Sequence, residues 1–561
     1  MLRYLYFTIA AFLFSTNLFA QQRSRQEMEQ IASQKLDSPI TRSTNVDEHL
    51  EILAHDEMYS ILGRKKQGFV VVSNDKQQKP VLAYSTNSMF DPENVPCGFQ
   101  WWLEAISSSL KEAKLNGNRS MSSSTRNTSK AKIEPLMTTT WNQDAPYNNK
   151  CPKLDEKSAL TGCVATALAQ ILNYHKYPDS SEGTGYYTKG ESDIKYYDKI
   201  NSTYDWTLFK DSYKNAYFIS DAEKNAVAQL MYDCGLAVHM NYSVESSGAI
   251  SGRVGNAIGQ HFKCDSLATM VLYREYYDTE EWMAIIRKEL EENRPILYGG
   301  SSDSGGHAFV LNGIDEEDMV YVNWGWGGSG DCWCDISNLL PSDHSEGYNK
   351  EQDMVIGLKK QPTPDPDELY KSFWGLTDQV KISQTFKPAK SFSVSAFTAF
   401  NRSHLQFYGS IGLFIEKSDG SGKLFIPFLT TGVDMNDVEC GWGYNVALKT
   451  ISSTDLETLS SGSYYVYLAS NAIQDIKPQA MKYNGGFTDV YTITIAEDRQ
   501  ITIDNVEAVK NGTPTAINSI NASTPNMPVL YYDLNGHEVS RDYRGLLIRK
   551  QGNDVRKILI Q

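Results

Sequence analysis

A thiol, an imidazole and a side-chain amide stand in contexts that suit nucleophilic chemistry. Cys163 opens the run Gly162-Cys163-Val164-Ala165-Thr166-Ala167-Leu168-Ala169-Gln170-Ile171-Leu172-Asn173-Tyr174-His175. Its apolar residues Val164, Ala167, Leu168, Ile171 and Leu172 recur at i, i+3, i+4, i+7 and i+8, which predicts a helix with one buried face and Cys163 in its first turn. Unpaired N–H groups and the positive end of the helix dipole favour thiolate over thiol there. The same features also suit an inert cysteine in a core helix, since free cysteine is among the most buried residue types. A base decides between the two. His307, in Gly305-Gly306-His307-Ala308-Phe309-Val310, starts a predicted strand behind a glycine pair that lets backbone approach a substrate. Sixteen residues on, Asn323 opens Asn323-Trp324-Gly325-Trp326-Gly327-Gly328. Its amide could hold the imidazole while an indole, Trp324 or Trp326, shields that bond from water. Such a set attacks a carbonyl through sulfur, with His307 moving the proton.

The elements that must position these groups follow from composition and periodicity. At 561 residues the chain exceeds one core and should divide into about three or four domains. Apolar residues at 41% with charged residues at 22% exclude global disorder, and a net charge of −15 disfavours nucleic acid and anionic membranes as partners. Arg3, the apolar run 5–14 and Leu18-Phe19-Ala20 read as a cleaved secretory signal over 1–20, and no later segment has the apolar length of a membrane span. This predicts a secreted or cell-surface protein. Eight cysteines are too few for a disulfide framework at this size, so apolar cores must carry the fold.

Residues 21–132 read as a small α+β unit: β-rich runs at 68–73 and 80–85, then a helix with Phe99, Trp102, Leu103, Ile106 and Leu110 on one face. The polar stretch 116–132 that ends it cannot bury itself and should be open to proteolysis, as in a pro-domain or an N-terminal domain on a flexible linker. Residues 133–360 carry the chemistry. Helices are expected at 225–234, stopping at Gly235, and from Thr279, with strands at 295–298, 307–312, 319–324 and 353–358, an α+β pattern of two layers. The prolines of 361–369 mark a linker, 370–505 reads as a β-sandwich, and 506–561 as a terminal β unit.

Compared as whole motifs, Gly162-Cys163-Val164-Ala165-Thr166-Ala167 with Tyr174-His175-Lys176-Tyr177-Pro178, then Gly306-His307-Ala308-Phe309-Val310, then Val322-Asn323-Trp324-Gly325-Trp326-Gly327-Gly328, resemble the streptopain family of secreted bacterial cysteine proteases. Trp141-Asn142-Gln143-Asp144-Ala145-Pro146-Tyr147-Asn148 is similar to that family's segment before the nucleophile, and 69–85 to its inhibitory pro-domain. The resemblance covers 133–358. The β-rich tail looks like the longer members, and Tyr532-Asp533-Leu534-Asn535-Gly536 is similar to caps at the ends of exported proteins.

The resemblance implies an α+β protein: a papain-like two-layer catalytic domain, preceded by an α+β inhibitory pro-domain and followed by all-β sandwich domains. It implies Cys163 as nucleophile and His307 as general base and later acid. Gln143 would donate to the oxyanion together with the Cys163 N–H, and Asn323 or the indoles of Trp324 and Trp326 would support His307. Ser247 and Gly306 would line the substrate cleft. Partners would be protein substrates, with an apolar residue preferred one step from the scissile position, and the chain's own pro-domain as inhibitor, with no cofactor and no metal. His175 reads as a helix-end histidine, and Cys332-x-Cys334, whose spacing is not that of a zinc site, as structural partners for Cys151 or Cys264. The same Cys and His would also serve an acyltransferase or transglutaminase-like enzyme, and the sandwich domains alone a catalytically idle surface-binding protein.

Overall fold

The structure, a computed structural model, describes residues 22–36, 50–64, 68–115, 130–214, 216–264, 269–302, 305–337, 350–358, 372–436, 438–473, 475, 477–510, 529–532, 545–551 and 554–560. The expected signal (1–20), most of the processing linker (116–129), the proline-rich linker (361–369) and Asp533 to Gly536 of the terminal motif lie outside the described residues. Two compact units emerge: one of residues 1–265 with 279–361, the other of 266–278 with 362–561. The short segment 266–278, which the sequence places within the catalytic region, groups with the second unit because Tyr276 packs edge-on against Phe373 at 4.9 Å and Glu275 pairs with Arg402 at 3.2 Å.

The first unit's strands in its main sheet are β1 (Glu51–His55), β2 (Tyr59–Gly63), β3 (Phe69–Ser73), β4 (Val81–Ser85), β5 (Ile296–Ser302), β6 (Gly305–Ile314), β7 (Val320–Asn323), β8 (Cys332–Cys334) and β9 (Lys350–Ile356). They form one sheet in the order β1-β2-β3-β4-β8-β7-β6-β5-β9, each neighbouring pair antiparallel. The join is the pairing of Ala83 and Tyr84 on β4 with Cys334 and Trp333 on β8, so the N-terminal β unit and the sheet carrying His307 are continuous. β8 was not expected from sequence, because Cys332-Trp333-Cys334 is too short for a periodic signal.

Helices are α1 (Arg25–Leu36), α2 (Cys97–Leu115), α3 (Cys163–His175), α4 (Asp221–Ala237), α5 (Arg253–Phe262) and α6 (Thr279–Glu291). α3 starts at Cys163 as expected, but every residue from Val164 to Asn173 is buried, not one face alone. The small residues Ala165, Thr166 and Ala169 let neighbours close over the side that periodicity marks as outer. α4 begins with a capping box between Ser220 and Glu223 and runs through Gly235, which is not its stop. Gly235 is required for another reason: a Cβ there would lie 2.1 Å from the Tyr242 hydroxyl. Among the described residues no helix is long and apolar enough to cross a membrane.

In the second unit the main sheet runs Leu424–Thr430, Gly409–Glu416, Gly462–Ala472, Phe487–Ile495, Ile501–Lys510, beside two three-stranded sheets. Trp374, Phe392, Phe407, Ile411, Leu413, Val466 and Ile493 fill one core among them, an all-β organisation, but the strand Ile501–Lys510 runs past residue 505, where the sandwich was expected to end. Val529–Tyr532, Gly545–Gln551 and Asp554–Ile560 form a separate three-stranded sheet.

A second tie between the N-terminal unit and the catalytic sheet is made by α2. Trp102 is fully buried and its indole N–H donates to the Asp335 carbonyl at 3.1 Å. Trp102→Ala should lower the unfolding free energy of the full chain by about 3–5 kcal/mol in denaturant titration.

Candidate active site

Cys163 is set at the start of α3 by Gly162, whose φ of 86° and whose contact with Met240 (a Cβ would lie 2.6 Å from the Met240 methyl) both demand glycine. The residue is partly exposed, and the N–H of Ala308 points at its sulfur, so the thiol sits against the strand residue next to His307. Burial raises the thiol above its ordinary value, opposed by the N–H groups of Ala308, Val164 and Cys163 itself. The expected bias toward thiolate at the helix start is therefore outweighed, because desolvation of the anion costs more than those donors return. His307, opposite Gly300 in the register of β5 and β6, is shifted down by burial alone. Burial thus works against the charged form of both groups.

The helix α2 explains the burial. Cys97, its first residue, is pushed up to about 11, mainly by burial and next by the proximity of Cys163, while the Trp326 side chain donates a hydrogen bond to it. Gly98 lies on Trp324, where a Cβ would come within 2.8 Å of the indole. Phe99 stacks on Trp324 at 5.5 Å, and Trp101 packs on Phe309 at 5.9 Å and covers Gly300, the pairing partner of His307. Ser88 donates to the carbonyl of Gly328 at 2.9 Å. The N-terminal unit therefore rests on the same loop and strand that flank the thiol.

Gln143 is tied to the nucleophile's segment through its carbonyl, which accepts the Thr161 N–H at 3.1 Å. Its side chain is 4% exposed and has no hydrogen-bond partner among the described residues, which leaves the amide N–H groups to give. Asn323 differs from expectation. Its amide donates to the Thr139 carbonyl at 2.7 Å and to Gln170 Oε1 at 3.2 Å, and its oxygen accepts from Gln170 Nε2 at 3.2 Å and Gly325 N–H at 3.0 Å. Both amide hydrogens and both acceptor positions are used, and none of them goes to His307.

Trp324 likewise spends its indole N–H on the Gly330 carbonyl at 2.9 Å, whereas Trp326 is partly exposed beside Cys97. The Ser247 hydroxyl accepts from Ser243 N–H at 2.9 Å and donates to the Leu160 carbonyl at 2.8 Å. Its carbonyl lies 3.2 Å from where a Gly162 Cβ would stand. Gly306 is exposed, with nothing closer than 3.9 Å to a Cβ built on it. His175 ends α3 stacked edge-on with Tyr174 at 4.9 Å.

Three residues of the site escaped the sequence reading. Gln170 lies two turns after Cys163 on α3, and its polarity within an apolar run was the available signal. Asp331 and Cys97 gave none, since their partners come from loops and from another domain. Cys332 and Cys334 lie 3.2 Å from each other, sulfur to sulfur, rather than pairing with Cys151 or Cys264, because alternate residues of one strand share a face.

Comparison with known proteins agrees with this geometry. A profile described as the Peptidase C10 family matches residues 141–334, and one described as Spi protease inhibitor matches 14–110. Streptopain of Streptococcus pyogenes is 32% identical over 323 residues, covering 52% of this chain and 78% of that protein. The thiol protease/hemagglutinin PrtT of Porphyromonas gingivalis is 29% identical over 316 residues, 53% of this chain and 36% of that one. The structure of a prointerpain A fragment from Prevotella intermedia superposes with a TM-score of 0.51 at 34% identity, covering 56% of this chain and all of that one. The chain belongs to the streptopain, or Peptidase C10, family: it is a papain-like cysteine protease made as a zymogen.

Proposed function

We propose that Cys163 is the nucleophile and His307 the general base and acid of an exported endopeptidase, and that the chain as described is its latent form. The observation that carries this is the approach of the Ala308 N–H to the Cys163 sulfur, which sets thiol and imidazole on adjoining elements of one cleft. Thiolate attack on a peptide carbonyl would give a tetrahedral oxyanion received by the Gln143 amide and the Cys163 N–H. Collapse then expels the amine, protonated by His307, and water hydrolyses the acyl-enzyme with His307 as base. The free amide of Gln143 supports its role. Trp326 lines the cleft once Cys97 has left, Ser247 contributes its backbone, and Gly306 leaves room for substrate. Asn323 and Trp324 act through the loop they hold and not by bonding the imidazole.

In this reading 1–20 is a removed export signal, and 21–132 a pro-domain with its processing linker. Residues 133–360 form the catalytic domain; 361–369 is a linker, the sandwich runs from 370 to the end of the strand Ile501–Lys510, and the residues after it form the last unit. Export rests on the charge and apolar pattern of 1–20.

Cys163→Ala should abolish peptide hydrolysis and leave the chain unprocessed, while the wild type on standing loses residues up to the 116–132 linker; processing in both would point to another protease, and hydrolysis by the mutant would remove Cys163 from the mechanism. Gln143→Ala should cut kcat about 10²–10³-fold, as loss of an oxyanion donor does, in steady-state peptide assays. Gln170→Ala should cost about 1–3 kcal/mol of stability in chemical denaturation, because it strands the buried Asn323 amide.

A further inference from the structure

We propose that Asp331 is a positioning residue for this protease: its buried carboxyl closes the loop 323–331 so that Trp324 and Trp326 stand against both the Cys163 helix and the His307 strand. The inference rests on the roles proposed above for Cys163 and His307.

The loop needs a clasp. Gly325, Gly327, Gly328 and Gly330 all have positive φ, at 73°, 64°, 77° and 68°, conformations that glycine adopts cheaply and leaves as cheaply. Asp331 is 3% exposed, and its Oδ1 accepts the backbone N–H of Trp324 at 3.0 Å. The indole N–H of Trp324 donates to the Gly330 carbonyl at 2.9 Å, so two bonds span the loop from end to end. The Gly327 N–H adds a bond to the Trp141 carbonyl at 2.8 Å.

What the loop touches makes the clasp matter for chemistry. A Cβ at Gly325 would lie 3.2 Å from Thr166 Cγ2, within the first turn of α3 after Cys163. Trp324 packs on Phe309 at 4.8 Å, and Phe309 shares a strand face with His307 two residues away. The Trp326 side chain reaches Cys97, whose own titration feels Cys163. Asp331 bonds the loop backbone and neither the thiol nor the imidazole, so it acts through the loop.

A buried carboxyl is costly where an apolar residue would fit. Burial pushes this one up to about 7, opposed by the Trp324 N–H and by Lys214, which flanks the loop at Gly327. Tyr321 and Cys334 are the other titratable groups that feel it. Raised in the folded state, the group favours folding at low pH; that contribution is lost as pH climbs from the ordinary carboxylate range through about 7.

The test compares processed wild type, Asp331→Ala and Asp331→Asn on a peptide substrate. D331A should lose about 10-fold or more in kcat with KM within about twofold, as a loop displaced by an ångström would cause. D331N, which keeps an acceptor for the Trp324 N–H, should hold kcat within about threefold of wild type and flatten the fall of Tm between pH 5 and 8 that wild type shows. Wild-type kcat in D331A, an effect on KM alone, or a D331N as slow as D331A would overturn the proposal. If D331A does not fold, D331N at pH 8 carries the test: near-normal kcat with a flattened Tm profile supports the clasp, and a 10-fold loss of kcat overturns it. Hydrolysis by Cys163→Ala would instead sink the underlying assignment of the site.

Discussion

The approach of α2 to the loop after β7 is the constraint on which the latent state depends. Gly98 has no side chain where Trp324 needs the space, and Phe99 stacks on the same indole at 5.5 Å. That contact places Cys97 beside Trp326 and near Cys163, and Trp101 over Gly300, the strand partner of His307. The pairing of β4 with β8 fixes the approach from a second side. In this geometry α2 lies over the loop and the strand that flank the thiol.

Partial burial of Cys163 and His307 has an electrostatic consequence. A cysteine protease works through thiolate and imidazolium, yet burial here raises the thiol and lowers the imidazole, against the charged form of each. Departure of α2 would return water to the sulfur while leaving the Ala308 and Val164 N–H groups aimed at it. The donors that lose to desolvation in the zymogen would then set the balance. Activation on this account is a change of solvation around the thiol.

Much of this was legible in the residues. The 3.6-residue period after Cys163 predicts α3, whereas the strand expected to start at His307 begins at Gly305, so that the glycine pair lies inside β6. The reading went astray where tertiary partners overrule local pattern. Gly235 reads as a helix stop but serves a close approach to Tyr242, and Asn323 reads as the holder of His307 but is consumed by Gln170, Thr139 and Gly325. Gln170 shares α3 with Cys163, yet its partner lies 153 positions further along the chain, a separation that no periodicity reveals. Cys332-Trp333-Cys334 gives no strand signal alone, since it is β4 that makes it one.

The most direct measurement is the rate at which iodoacetamide alkylates Cys163 at neutral pH, read by peptide mass on the intact chain and on the chain after loss of its residues up to the 116–132 linker. If α2 holds the thiol dry and neutral, the processed protein should react at least about 10-fold faster, as a thiol freed to ionise does. Equal rates in the two forms would contradict the account.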